Sequence, residues 1–172
     1  TRFEKQLKYF EEHPDVGIIS SFIDEFDSDW STPNNIKRLP LTHEELFQMA
    51  KFRCPLNHMA VMMRKEDIIR IGSYHHIPYI EDYELWVRAL INGIKIGNFG
   101  EVLVHARTGN GMLQRRGTTK YIKSWHQMNK EMIQAGMIGN GTYIRNMISI
   151  TAFVFMPDRL KEFLYKKVLR NR

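Results

Sequence analysis

The spacing of apolar positions divides the chain into elements. From Arg2 to Glu12, Phe3, Leu7 and Phe10 recur at helical intervals among charged residues, which predicts a helix with one buried face, closed by His13-Pro14-Asp15. Val16 to Phe26 carries Ile18, Ile19, Phe22, Ile23 and Phe26 in a run dense in β-branched and aromatic residues, which predicts a mostly buried strand. Asp27 to Asn35 collects Asp, Ser, Thr, Pro and Asn, the chemistry of turns, before a short Ile36–Leu39 segment that Pro40 ends. Thr42 with Glu45 three residues on forms a capping-box signature for a short helix with Leu46 and Met49 on its apolar face. Met59 to Met63 is short and apolar and predicts a buried strand, with Lys65 to Ile71 a helix behind it.

Glu81 to Asn92 sets Leu85, Val87, Leu90 and Ile91 among polar residues, and Asn92-Gly93 supplies the helix end with glycine where left-handed geometry is expected. Ile94–Asn98 and Val102–Ala106 then predict two strands around a Gly97–Glu101 turn. From Tyr121 onward strands give way to three helical segments, near 121–135, 142–155 and 158–168, the last two separated by Pro157. This order predicts an α/β fold, a mixed sheet with flanking helices, carrying an α-helical C-terminal extension. Four or five strands, several of them short, make an incomplete sheet, which predicts further chain before Thr1.

Composition narrows the classes. The apolar and charged fractions of 43% and 26% over 172 residues are those of a folded globular domain, neither disordered nor fibrous. No run approaches the length of a spanning helix, since Met147 to Met156 is interrupted by Ser149 and Thr151. Thr1 to His13 is charged and amphipathic, unlike a signal peptide. A single cysteine, Cys54, cannot form an internal disulfide, which fits a cytoplasmic setting. The net charge of +6 would attract nucleic acid, anionic lipid headgroups or pyrophosphate-containing substrates, and does not choose among them. Zinc-ligand spacing, an aromatic RNA-recognition signature and a recognition-helix pair are all missing from the sequence, so a basic nucleic-acid-binding or non-catalytic interaction module is the alternative and nucleic acid is not the expected partner.

The stretch Ile77 to Trp86, IPYIEDYELW, puts Glu81 and Asp82 at the start of a helix. A first-turn carboxylate is stabilised by unpaired backbone N–H groups and the helix dipole, so the pair alone is also what an ordinary helix start looks like. Its surroundings are more specific. Upstream lie Arg53 to Lys65, RCPLNHMAVMMRK, with Asn57 and His58 ahead of the apolar run, and Gly72-Ser73-Tyr74; downstream lie WVRALINGIKIGN and VLVHAR. A Pro-x-Asn-His before a strand, a Gly-x-Tyr turn, then Glu-Asp-Tyr-x-Leu-Trp-x-Arg with a glycine a few residues later resembles family-2 glycosyltransferases of the GT-A fold, above all the non-processive enzymes of bacterial capsule, exopolysaccharide and O-antigen synthesis. The resemblance spans nearly the whole chain, from RFEKQLKYFEEHPDV to MPDRLKEFLYKKVLR.

The resemblance implies inverting transfer of a sugar from a nucleotide-diphosphate sugar to a hydroxyl of a saccharide or lipid-linked saccharide acceptor. It makes Asp82 the general base, with Glu81 positioning the acceptor or the loop. It also implies that residues 1–115 are the acceptor-side half of a GT-A domain and 116–172 a helical extension packed on it. The nucleotide-binding strands and the Asp-x-Asp metal motif of the family precede the region matched by Arg2 to Val16. A divalent metal, manganese or magnesium, is therefore expected for the full-length enzyme and not in this chain, which is expected to be inactive alone. Asp27-Ser28-Asp29 has the motif's letters but lies in a turn-forming run after the first matched strand, and reads as a solvated loop.

Several other residues keep two readings. Asn57 and His58 are acceptor-pocket candidates, with positioning the expected role for His58. Trp86 either stacks on a sugar ring or packs in the core beside Val87 and Leu90. Arg107 ends the VLVHAR strand and is a candidate for substrate contact; His105 on that strand reads as an exposed histidine, with no metal assigned. Gly109 to Gly117, GNGMLQRRG, lacks the tryptophan of the processive Gln-x-x-Arg-Trp motif, and its Arg115 and Arg116 belong either to a solvated basic loop or to a lid on a diphosphate. Residues 158–172 carry six Arg or Lys against two acids among apolar residues, which suits either a solvated helix face or a peripheral site on the inner face of the plasma membrane.

Overall fold

The computed structural model describes residues 1–107, 118–157, 160 and 161. The order of elements is α1 (Arg2–Glu12), β1 (Val16–Phe26), β2 (Asn35–Lys37), α2 (His43–Ala50), a 3-10 turn (His58–Ala60), β3 (Met62–Met63), α3 (Lys65–Arg70), α4 (Glu81–Ile91), β4 (Lys95–Arg107), α5 (Thr119–Gln134) and α6 (Asn140–Phe155). It is the mixed α/β arrangement expected from the apolar pattern. The expected domain boundary near 115 and the last helical segment lie outside the described residues, apart from the helical pair Leu160 and Lys161.

β1 organises the sheet. It is buried at ten of its eleven positions, as an apolar run of that kind demands. β4 pairs with it in parallel from Val16↔Lys95 to Phe26↔Arg107. A strand has two edges, so β3 (Ile18↔Met63) and β2 (Ile23↔Lys37), both antiparallel, take successive stretches of the other one.

Two sequence expectations are corrected. The turn expected at Gly97–Glu101 is a bulge within a single strand: Ser21 pairs with Phe99 and Phe22 with Val102, leaving Gly100 and Glu101 as extra residues while β4 continues. The strand expected over Met59–Met63 shrinks to two residues. The carbonyls of Met59 and Val61 accept from the Arg2 guanidinium at 3.0 Å each, and that of Ala60 from Gln6 at 2.8 Å, so α1 takes acceptors a sheet ladder would have used.

α4 lies between the sheet and the C-terminal helices, with Tyr83, Leu85, Trp86, Val87 and Ala89 inaccessible or nearly so. One side meets Ile18, Ile94 and Ile96; the other meets Tyr121, Trp125, Met128 and Met132 of α5 within the same core cluster. Such enclosure explains why its buried residues exceed one amphipathic stripe. The Tyr83 hydroxyl donates to the Ala50 carbonyl at 2.8 Å, and burial pushes its pKa well above the ordinary phenol value. Asn146 of α6 donates to Lys51 O and to Asn129 Oδ1, each at 2.8 Å, clasping both C-terminal helices to the end of α2.

Candidate active site

Asp82 stands in the first turn of α4, where the N-cap residue, Ile80, offers no side-chain acceptor. The first turn carries three acidic residues, Glu81, Asp82 and Glu84, at the positive end of the helix dipole. Asp82 Oδ1 accepts from the Tyr83 N–H at 2.8 Å. Its other oxygen faces His58 Nδ1 at 4.0 Å, beyond hydrogen-bond length, and the side chain is one-third exposed. A carboxylate with one oxygen anchored and the other turned to a half-open space is placed to take a proton. Glu81 is the part-exposed residue ahead of it.

The wall opposite Asp82 is built from distant sequence. His58 opens the 3-10 turn that Arg2 and Gln6 hold, and its Nε2 lies 3.0 Å from the Tyr74 hydroxyl. Burial, and secondarily the charge of Asp82, raise the Tyr74 pKa, so the phenol stays protonated. The edge of Trp86 supports the His58 ring at 5.8 Å between centroids.

Tyr74 is itself held by a clamp. Arg88 reaches from α4 to the Ile71 carbonyl and to that of Ser73 at 2.5 Å, while Glu84 binds the same guanidinium at 2.7 Å. Glu84 is completely buried and also faces His75 Nδ1 at 3.2 Å. The clamped turn contains Gly72 at φ +89° and Ser73 at φ +58°, and Tyr79 at φ +73° precedes α4. A left-handed tyrosine is strained, and such backbone persists only where its surroundings over-determine it.

Two candidates are corrected by their burial. Trp86 is fully enclosed, so it packs beneath His58 and cannot present a face to a sugar. Asn57 is 1% exposed; its amide donates to Ser21 O and its carbonyl accepts from the Ser20 hydroxyl, both at 2.9 Å, so it ties the loop to β1. Arg107 is exposed at the end of β4 with its guanidinium 5.4 Å from the Phe26 ring centroid, and has no described contact with Asp82. Arg115 and Arg116 lie outside the described residues. Asp29 accepts from the Ser31 N–H and hydroxyl, which lowers its pKa and makes 27–29 the turn expected.

Reasoning from the sequence missed Tyr74 as a partner of His58, and the buried Glu84–Arg88 pair, whose signal was the four-residue spacing of opposite charges within an otherwise apolar helix. It also missed that His105 has an acidic partner. Its Nδ1 lies 2.7 Å from Asp24 Oδ2 across β1 and β4, with the Trp30 ring 5.4 Å away. Among the described residues no group of three or more His, Cys, Asp or Glu is placed to hold a metal ion.

The relatives that the chain matches are glycosyltransferases. Amylovoran biosynthesis glycosyltransferase AmsE of Erwinia amylovora is 38% identical over 96% of this chain. UDP-Gal:alpha-D-GlcNAc-diphosphoundecaprenol beta-1,3-galactosyltransferase of Escherichia coli is 33% identical over 99%, and an uncharacterized glycosyltransferase of Haemophilus influenzae 31% over 99%. The chain spans 62 to 63% of the length of these relatives. No protein-family model matches it.

Proposed function

We propose that this chain is the acceptor-side portion of an inverting family-2 glycosyltransferase of GT-A type, acting in cell-surface polysaccharide synthesis with Asp82 as general base. The observation that carries the reading is the Asp82 carboxylate itself, anchored through Oδ1 and open at Oδ2, in a chain similar to glycosyltransferases from end to end. The acceptor hydroxyl donates to Oδ2. As its oxygen attacks the anomeric carbon of the nucleotide-diphosphate sugar, the proton passes to Asp82 and the bond to the diphosphate breaks with its electron pair on the leaving oxygen. His58, fixed by Tyr74 and Trp86, orients the acceptor beside the base, and Glu81 shapes the rim.

The nucleotide sugar and the divalent metal belong, on this reading, to the part of the relatives that this chain does not span. The described residues form no metal donor set, so no step here is routed through a metal. The acceptor is a saccharide, free or carried on a polyprenyl diphosphate as in the name of the Escherichia coli relative. Peripheral attachment to the inner membrane face is supported by exposed Ile144, Ile148 and Phe155 along α6, leading towards the basic stretch 158–172.

The test is Asp82→Asn in the enzyme restored to full length, assayed for sugar transfer. Transfer should fall by about 10²–10⁴-fold, the usual contribution of a positioned base, with the thermal midpoint unchanged. Near-normal transfer by a folded variant would sink the assignment.

A further inference from the structure

We propose that Trp30, His105 and Asp24 form a pyranose-binding subsite, separate from the Asp82 carboxylate and resting on the reading above that the protein handles saccharides. β1 and β4 are parallel, so Asp24 and His105, which face each other in the register, stand near their shared carboxyl end. In open α/β sheets that end is where ligands bind.

The geometry there is specific. Asp24 is 95% buried, and its Oδ2 takes His105 Nδ1 at 2.7 Å. This commits Nδ1 to Asp24 and leaves Nε2 of a half-exposed ring to hydrogen-bond a hydroxyl. Asp24 Oδ1 is buried without a hydrogen-bond partner, a second acceptor lacking a donor. Trp30 stands beside His105, its centroid 5.4 Å away, and is 62% exposed. Its turn is stapled by Asp29 to Ser31 and closed by Asn34 N–H donating to Glu25 O at 2.8 Å.

An exposed indole offers a flat apolar surface to the C–H face of a pyranose, and the imidazole beside it hydrogen-bonds a ring hydroxyl.

The experiment titrates N-acetylglucosamine, galactose and glucose separately into the full chain and follows the three indole N–H resonances by NMR. Trp86 and Trp125, 0% and 6% exposed, are internal controls. For at least one sugar the Trp30 resonance should shift and saturate with a millimolar Kd while the controls stay still. Trp30→Phe should keep the sugar-dependent shift of the His105 ring protons and Trp30→Ala abolish it, and His105→Ala should weaken binding by roughly fivefold or more. Absence of any shift, equal movement of all three indoles, or binding indifferent to His105→Ala would each overturn the subsite. Transfer by Asp82→Asn in the full-length enzyme reads the base and the Trp30 titration reads the subsite, so a lost subsite and a wrong base assignment give different results.

Discussion

Asp82 stands 4.0 Å from His58 with Tyr74 on the far side of the ring; Asp24 stands 2.7 Å from His105 with Trp30 beside it. Each grouping sets an aspartate beside a histidine and an aromatic ring, and they differ in commitment. Asp24 is buried and bound to its histidine, so its charge is spent on orienting a neighbour. Asp82 keeps its histidine at 4.0 Å and one oxygen open, which is what the proposed base needs. Spacing and exposure, more than composition, separate the two carboxylates.

The largest effect expected from perturbing this contrast lies beneath the first grouping. Trp86→Leu removes the support of His58 from a fully buried position and should destabilise the fold by about 2–4 kcal/mol, read by chemical denaturation. Next comes a direct comparison of the carboxylates. Asp24→Asn breaks a largely buried charge-assisted bond and should lose about 1–2 kcal/mol, whereas Asp82→Asn should stay within about 0.5 kcal/mol of the parent. Equal losses would erase the distinction.

The smallest effect concerns the clamp behind Tyr74. Burial first, then the charge of Glu84, raise the Glu131 pKa. A carboxyl group whose pKa is raised by folding favours the fold while protonated and loses that benefit as pH climbs through the folded value. Glu131→Gln should therefore stabilise the protein near neutral pH by under ~1 kcal/mol, the side chain being only part-buried. The gain should vanish on acidification below the ordinary carboxylate range, as thermal melts across pH would show.

What the sequence disclosed and what it concealed follow from range. The Thr42–Glu45 box, the Asn92-Gly93 stop with Gly93 at φ +74°, and the apolar run of β1 are local, and each folds as its residues prescribe. Glu81 and Asp82 were visible because a helix start is also local. The fate of Met59–Val61 was hidden because it is decided by Arg2 and Gln6, more than fifty residues away. Asp24 and His105 are likewise 81 apart, and no spacing within either strand announces the other. At Gly100-Glu101 turn-forming letters were present, yet pairing with β1 on both sides absorbed them as a bulge.

The long reach of β1 also bears on how the chain folds at the ribosome. Its parallel partner begins at Lys95, so a strand containing Ile18, Ile19 and Ile23 must wait for about 80 residues of synthesis, roughly 4–16 s at ordinary elongation rates, before that edge is covered. Early β2 and β3 pairing can occupy only short stretches of the other edge. The nascent protein is exposed to aggregation throughout that interval, and slowing translation between β1 and β4 should lower the soluble yield more than slowing it after Arg107.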